Sequence, residues 1–127
     1  FPFQLISRRL PNVYNSSGRD IKKLTRGRSY NPAFLHPDDL HRLNIKAGNL
    51  VKIESSHASI LGVAEAAPEL RRGIVSMAHC FGDSPEHDSR VREIGSNTGR
   101  LINNEVEFDP HSGIPRMSAI PVSVKPA

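Results

Sequence analysis

The apolar positions of this chain fall into short runs divided by long polar stretches. Phe3-Gln4-Leu5-Ile6-Ser7 is rich enough in β formers to predict a strand, and it ends in the polar stretch Arg8 to Tyr30. That stretch exceeds a simple turn, so it is a functional loop or hides a short helix, for which Asp20 to Leu24 is the candidate. After Ala33-Phe34-Leu35, the segment His36 to Leu43 predicts a short helix. Pro37 suits the first helical position, where a missing N–H costs nothing, and Asp38 and Asp39 complement the positive end of the helix dipole. Leu40 and Leu43 share one face, and Asn44 or Gly48 can end the segment.

Leu50 to Glu54 mixes Leu50, Val51 and Ile53 with Lys52 and Glu54, and a second apolar run, Ile60 to Ala66, follows across Ser55-Ser56-His57-Ala58. This reads as a hairpin. Pro68 to Gly73 breaks the pattern, and Gly73 to Ala78 restarts it as a buried strand. From Phe81 to Pro115 the chain is polar and punctuated by glycines and prolines, which predicts a long surface loop with little regular structure. Ala119 to Val124 supplies the last strand. Six or so short strands, one or two short helices and two long loops describe a mainly β fold, a barrel rather than an α/β sheet. Leu5, Val51, Ile53, Ile60, Val63, Val75 and Val122 are expected to face its core.

At 127 residues the chain has the size of one compact domain, and 24% charged with 37% apolar residues is ordinary globular composition. No apolar run approaches the roughly eighteen residues that span a bilayer, and Phe1-Pro2-Phe3-Gln4 lacks a signal pattern, so a soluble chain without a membrane partner is expected. The chain opens without Met, inside an expected strand, which predicts that the polypeptide continues upstream. Cys80 is the single cysteine, so it makes no internal disulfide and no multi-thiolate zinc site, and a reducing compartment, the cytoplasm, fits. Residues 1 to 31 carry seven Lys or Arg against Asp20 alone, hence +6; with +4 overall, the remainder holds −2. Such a basic segment holds phosphates, nucleic acid or an acidic neighbour, or is a solvated loop.

His36, His41, His57, His79, His87 and His111 are scattered without the spacing of a zinc site, so no metal bound by this chain alone is expected. His79 and Cys80 are neighbours on an expected strand and should point to opposite faces, which argues against a nucleophile pair and for a buried structural thiol. No phosphate loop, dinucleotide fingerprint, nucleophile elbow or paired-carboxylate arrangement is present, so catalysis by this chain alone is not expected. Ser7-Arg8-Arg9 and Tyr14-Asn15-Ser16-Ser17-Gly18 instead place two guanidiniums, an amide and hydroxyls at a strand end. These groups can ligate a pyrophosphate and the edge of a heterocycle, although Asn, Ser and Gly also make turns.

Leu5-Ile6-Ser7-Arg8-Arg9 with Tyr14-Asn15-Ser16 resembles the first strand and loop of the C-terminal molybdopterin dinucleotide-binding domain of the dimethyl sulfoxide reductase and formate dehydrogenase family. Further segments are similar in the same order. Phe34 to Asp39 and Leu43 to Ile53 resemble the family's helix, turn and next strand. Gly73 to His79 resembles the strand that carries a cofactor-facing His or aromatic, Ser96-Asn97 to Leu101 its Asn-containing loop, and Asp109 to Pro115 the final turn. The resemblance implies a six-stranded double-psi β-barrel that helps hold two molybdopterin guanine dinucleotides chelating molybdenum or tungsten. It implies contacts from Ser7, Arg8, Arg9, Tyr14, Asn15, Ser16, His79 and Asn97, with the metal ligated by another domain of the same catalytic subunit. Val13 stands where many relatives have His, Asn49 replaces the usual turn Asp, and Ser118 lies where a Lys often follows Pro115.

Two other readings differ in class. One is a separate small cofactor-binding subunit of the formylmethanofuran dehydrogenase type. The other is a double-psi barrel that holds nucleic acid or protein through its basic stretch, against which stands aromatic poverty, with Tyr14 and Tyr30 alone available there for stacking.

Overall fold

Alternation decides the inside of this molecule. In a computed structural model describing residues 1–127, strand β1 (Phe3–Arg8) buries Phe3 and Leu5 and exposes Gln4 between them. Five more strands follow: β2 (Ala33–Leu35), β3 (Leu50–Glu54), β4 (Ser59–Ala66), β5 (Ile74–Ala78) and β6 (Ile120–Pro126). They close in the order β1-β5-β2-β4-β3-β6. β1 with β5 and β2 with β4 run parallel, while the remaining neighbours run antiparallel, and long crossing connections join them in a double-psi barrel. Closure leaves no open sheet edge. No helix is long and apolar enough to cross a membrane.

The interior is largely aliphatic, with Leu5, Val51, Ile53, Ile60, Val75 and Val122 among its buried residues beside Phe3 and Met77. Gly62 also faces inward, where an added Cβ would stand 3.3 Å from Ile53 Cδ1 and 3.4 Å from Ala33 Cβ. Its neighbour Val63 therefore faces out, contrary to the sequence expectation, although it is equally buried. What covers Val63's face of β4 is the segment read from sequence as a featureless surface loop.

That segment holds 3₁₀ turns at Pro85–Arg90 and Thr98–Leu101 with helix α3 (Val91–Ile94) between them, all packed on β4. Phe81, Val91 and Leu101 are buried, and Ser96 and Thr98 go in with them. α3 buries Val91 and the Thr98–Leu101 turn buries Leu101, while the Pro85–Arg90 turn buries no residue; so sparse an apolar signal is lost in the polar average of residues 81–115.

Two short helices lie before β3. α1 (Lys22–Thr25) falls in the basic loop, inside the stretch expected to hide one, and α2 (Pro37–Arg42) begins at Pro37. His36 Nδ1 accepts the Asp38 N–H at 3.1 Å and caps α2. The buried Asp39 carboxylate accepts from Arg42 at 2.9 Å and from the Gly73 N–H at 2.6 Å, which ties α2 to the start of β5.

Candidate functional site

Because β1 and β5 are parallel, with Ser7 beside Met77 and Arg8 beside Ala78, both strands deliver their following residues to the same end of the barrel. A cleft of about 470 Å³ opens there, within the range of small-molecule and cofactor sites. Ser7 and Arg9 from the β1 side, His79 and Cys80 from the β5 side, and Asn97 from the 3₁₀ turn all line it. Leu5, Ile102, Met117 and Ile120 supply apolar wall, and no carboxylate lines the cleft.

The polar groups are connected. Arg9 Nη1 donates to Asn15 Oδ1, and His79 Nε2 lies 3.1 Å from the same oxygen. Asn15 reaches this position from a tight turn, bridged between Tyr14 and Ser17, in which its own φ is +53°. Asn and Asp tolerate that left-handed backbone better than other L residues. Asn97 Oδ1 caps the following turn by accepting the Gly99 N–H at 3.0 Å, so its Nδ2 stays free. Ser7 docks the closing segment, donating its hydroxyl to Met117 O at 2.9 Å and its N–H to Ser118 Oγ at 3.1 Å.

Not every residue singled out in the sequence joins the cleft. Arg8 alternates away from Ser7 and Arg9; its guanidinium stacks 4.3 Å over the Phe34 ring, with Nη1 buried and without a hydrogen-bond partner. It meets Arg9, Asn15 and His79 in a narrow crevice behind the cleft. Tyr14 and Ser16 sit on the exposed turn around Asn15 and do not line the cleft.

Cys80 requires a correction. Its thiol is exposed rather than buried, and it shares the cleft with His79 instead of facing away from it. β5 ends at Ala78, so strand alternation no longer applies, and Cys80 takes a left-handed φ of +65°. Two other residues carried no such expectation. Arg19 Nη1 donates to Cys80 O at 2.6 Å, pinning the basic loop to the cleft rim, and Asn31 is buried beneath the rim. Asn31 had one visible trace: a polar side chain directly before the apolar run from Pro32 to Leu35. No three His, Cys, Asp or Glu side chains come together as a metal-holding group.

An acid-free cleft lined by a guanidinium suits an anion such as a diphosphate. The unused donors of Arg9 and Asn97 beside the apolar wall suit a flat, polar-edged heterocycle. Residues 3–121 match the family model described as "Molydopterin dinucleotide binding domain". The chain belongs to this family.

The fold of this molybdopterin dinucleotide-binding domain is similar to part of acetylene hydratase from Pelobacter acetylenicus, with a TM-score of 0.81 and 17% sequence identity. That similarity covers 100% of this chain and 18% of the hydratase chain. No curated protein matches the sequence.

Proposed function

We propose that this domain binds and positions the bis-molybdopterin guanine dinucleotide cofactor of a molybdenum or tungsten oxidoreductase, of the formate dehydrogenase and nitrate reductase type, in the cytoplasm. The remaining domains of the same catalytic subunit are its partners and supply the metal ligand. When bound, the cofactor supplies a dithiolene-held metal and its redox chemistry. The chain's own task is to hold and orient.

The observation that carries this reading is the convergence of Ser7, Arg9, His79 and Asn97, with Asn15 behind them, on one acid-free cleft. Arg9 would hold phosphoryl oxygens by charge-assisted donation, while Asn97 and His79 would address the polar edge of the pterin. Ser7, whose hydroxyl already donates to Met117 O, would offer its oxygen lone pairs and keep the closing segment in place.

Substituting Arg9→Ala in the whole enzyme tests the reading, by metal content measured beside specific activity. The expected result is lower metal occupancy with unchanged turnover per bound metal. Full metal loading with abolished turnover would instead assign direct catalysis to this domain and end the clamping role.

A further inference from the structure

The cleft's far wall is made of two loops that the strand ladders do not connect. One follows β5 and carries His79; the other follows α3 and carries Asn97. Between them, under the surface, lies the side chain of Asn31, 1% exposed. Its Nδ2 donates to Ala78 O at 2.6 Å and to Ser96 O at 3.0 Å, and its Oδ1 accepts the Ser96 N–H at 2.7 Å. Ala78 directly precedes His79, and Ser96 directly precedes Asn97.

We infer that Asn31 is a positioning residue, which sets the spacing of the His79 and Asn97 loops and so holds the cofactor cleft in its binding shape. This rests on the cofactor reading of the cleft. The chemistry required at this point is narrow: two donors toward two carbonyl oxygens and one acceptor toward an N–H, at the reach of one short side chain. A carboxamide provides it. A carboxylate of the same shape would set negative oxygens against the two carbonyls, and an apolar side chain would leave three buried backbone groups unpaired.

The packing around the clamp leaves it no slack. At Gly95, in left-handed backbone with φ +82°, an added Cβ would stand 2.5 Å from Asn31 Oδ1. At Gly82, with φ +72°, an added Cβ would meet Asn97 N at 2.4 Å and Ser96 C at 2.6 Å. The two loops therefore touch backbone to backbone. One backbone hydrogen bond, Gly82 N–H to Ile94 O at 2.8 Å, also bridges them, and Asn31 adds the three bonds made at Ala78 and Ser96, the residues directly before His79 and Asn97.

A second buried clamp supplies a control. Asp39 accepts from Gly73 N–H at 2.6 Å at the opposite end of the same strand, far from the cleft. In the parent enzyme, Asn31→Ala and Asp39→Ala should both lower the melting temperature. Only Asn31→Ala should speed loss of the cofactor, followed as metal released during prolonged dialysis. The expected acceleration is about tenfold, the low end of what losing an orienting partner costs a ligand-holding side chain. Gly82→Ala, which wedges the same loops apart with Asn31 in place, should release metal faster as well, and it carries the test if Asn31→Ala does not fold. Equal release from the Asn31 and Asp39 variants at matched melting temperature, or wild-type release from Gly82→Ala, would overturn the positioning role. Arg9→Ala separates the two levels. Unchanged retention there defeats the cofactor reading itself, whereas faster release there with wild-type release from the Asn31 variant defeats the positioning role alone.

Discussion

His79 Nε2 lies 3.1 Å from Asn15 Oδ1, across 64 positions of sequence, and Arg9 donates to that same oxygen. The double contact orients the amide: with Nδ2 in that place, a donor would face the guanidinium. Because Oδ1 can only accept, the proton of a neutral His79 ring belongs on Nε2. Nitrogen-15 NMR of the histidine rings checks this. An Nε2–H tautomer is expected for His79, mixed with the other form once Asn15→Ala removes the acceptor, and a wild-type ring protonated on Nδ1 alone would show that the contact does not form.

Cys80 gives the cleft a chemical reporter. Its thiol is exposed and lines the same wall as His79, so it should alkylate in the folded protein without denaturant. With the cofactor bound the reaction should slow sharply. Equal alkylation rates for cofactor-loaded and cofactor-depleted enzyme would place the ligand elsewhere.

How far the sequence carried depends on whether a signal was local. The hairpin of β3 and β4 was legible from its two apolar runs, and α2 from Pro37 followed by two acids. The gathering of Ser7, Arg9, Asn15, His79 and Asn97 could not come from periodicity, because a parallel pairing 70 residues apart in register brings them together. It was the ordered resemblance of segments that pointed to them. Cys80 was misread because strand alternation was applied to His79 and Cys80, past the strand's end at Ala78, and Val63 because burial was equated with the barrel interior. Asn31 was missed because a lone Asn before a proline reads as a turn, and its three partners are visible only in space.

Val75 has no exposed surface and sits in the barrel core on β5. Val75→Ala should cost about 1 to 3 kcal/mol, from lost apolar burial and the cavity left behind. Denaturant unfolding measures it, and an unchanged midpoint would place this side chain outside the core.

The turn at Asp109 should respond to acid. Its carboxylate accepts the Ser112 N–H at 2.8 Å, the Ser112 hydroxyl at 2.9 Å and the His111 N–H at 3.0 Å. These bonds, the Ser112 N–H foremost, hold its pKa below the ordinary 3.8. A depressed value in the folded state means that the carboxylate supports the turn above pH 3.8 and that the support is lost as pH falls through the lowered value. A carbon-13 titration of the carboxyl should find the midpoint below 3.8, and Ser112→Ala should move it upward.

The basic loop between β1 and β2 should be the most open part of the cofactor-free chain. Its backbone hydrogen bonds are short-range, such as Val13 N–H to Leu10 O and Ile21 N–H to Gly18 O, and Ile21 and Leu24 stand exposed. Side chains hold it to the barrel instead. Arg19 reaches Cys80 O at 2.6 Å, and Arg28 reaches Glu65 at 3.0 Å. The Arg28–Glu65 ion pair is part-exposed and worth about 1 kcal/mol or less, and the Arg19 tether is a single side-chain hydrogen bond to a carbonyl, so neither gives the loop the protection of a ladder strand. Amide hydrogen exchange should therefore run fast over residues 10–28 and slow over Leu50–Glu54, where both neighbouring strands pair. Arg19→Ala should raise exchange in the loop around residue 19 and leave β3 unchanged, because the bond it removes ends on the cleft rim and not in the core. If the loop were protected as strongly as β3 in the cofactor-free chain, it would be a finished structural element rather than one that waits for a ligand.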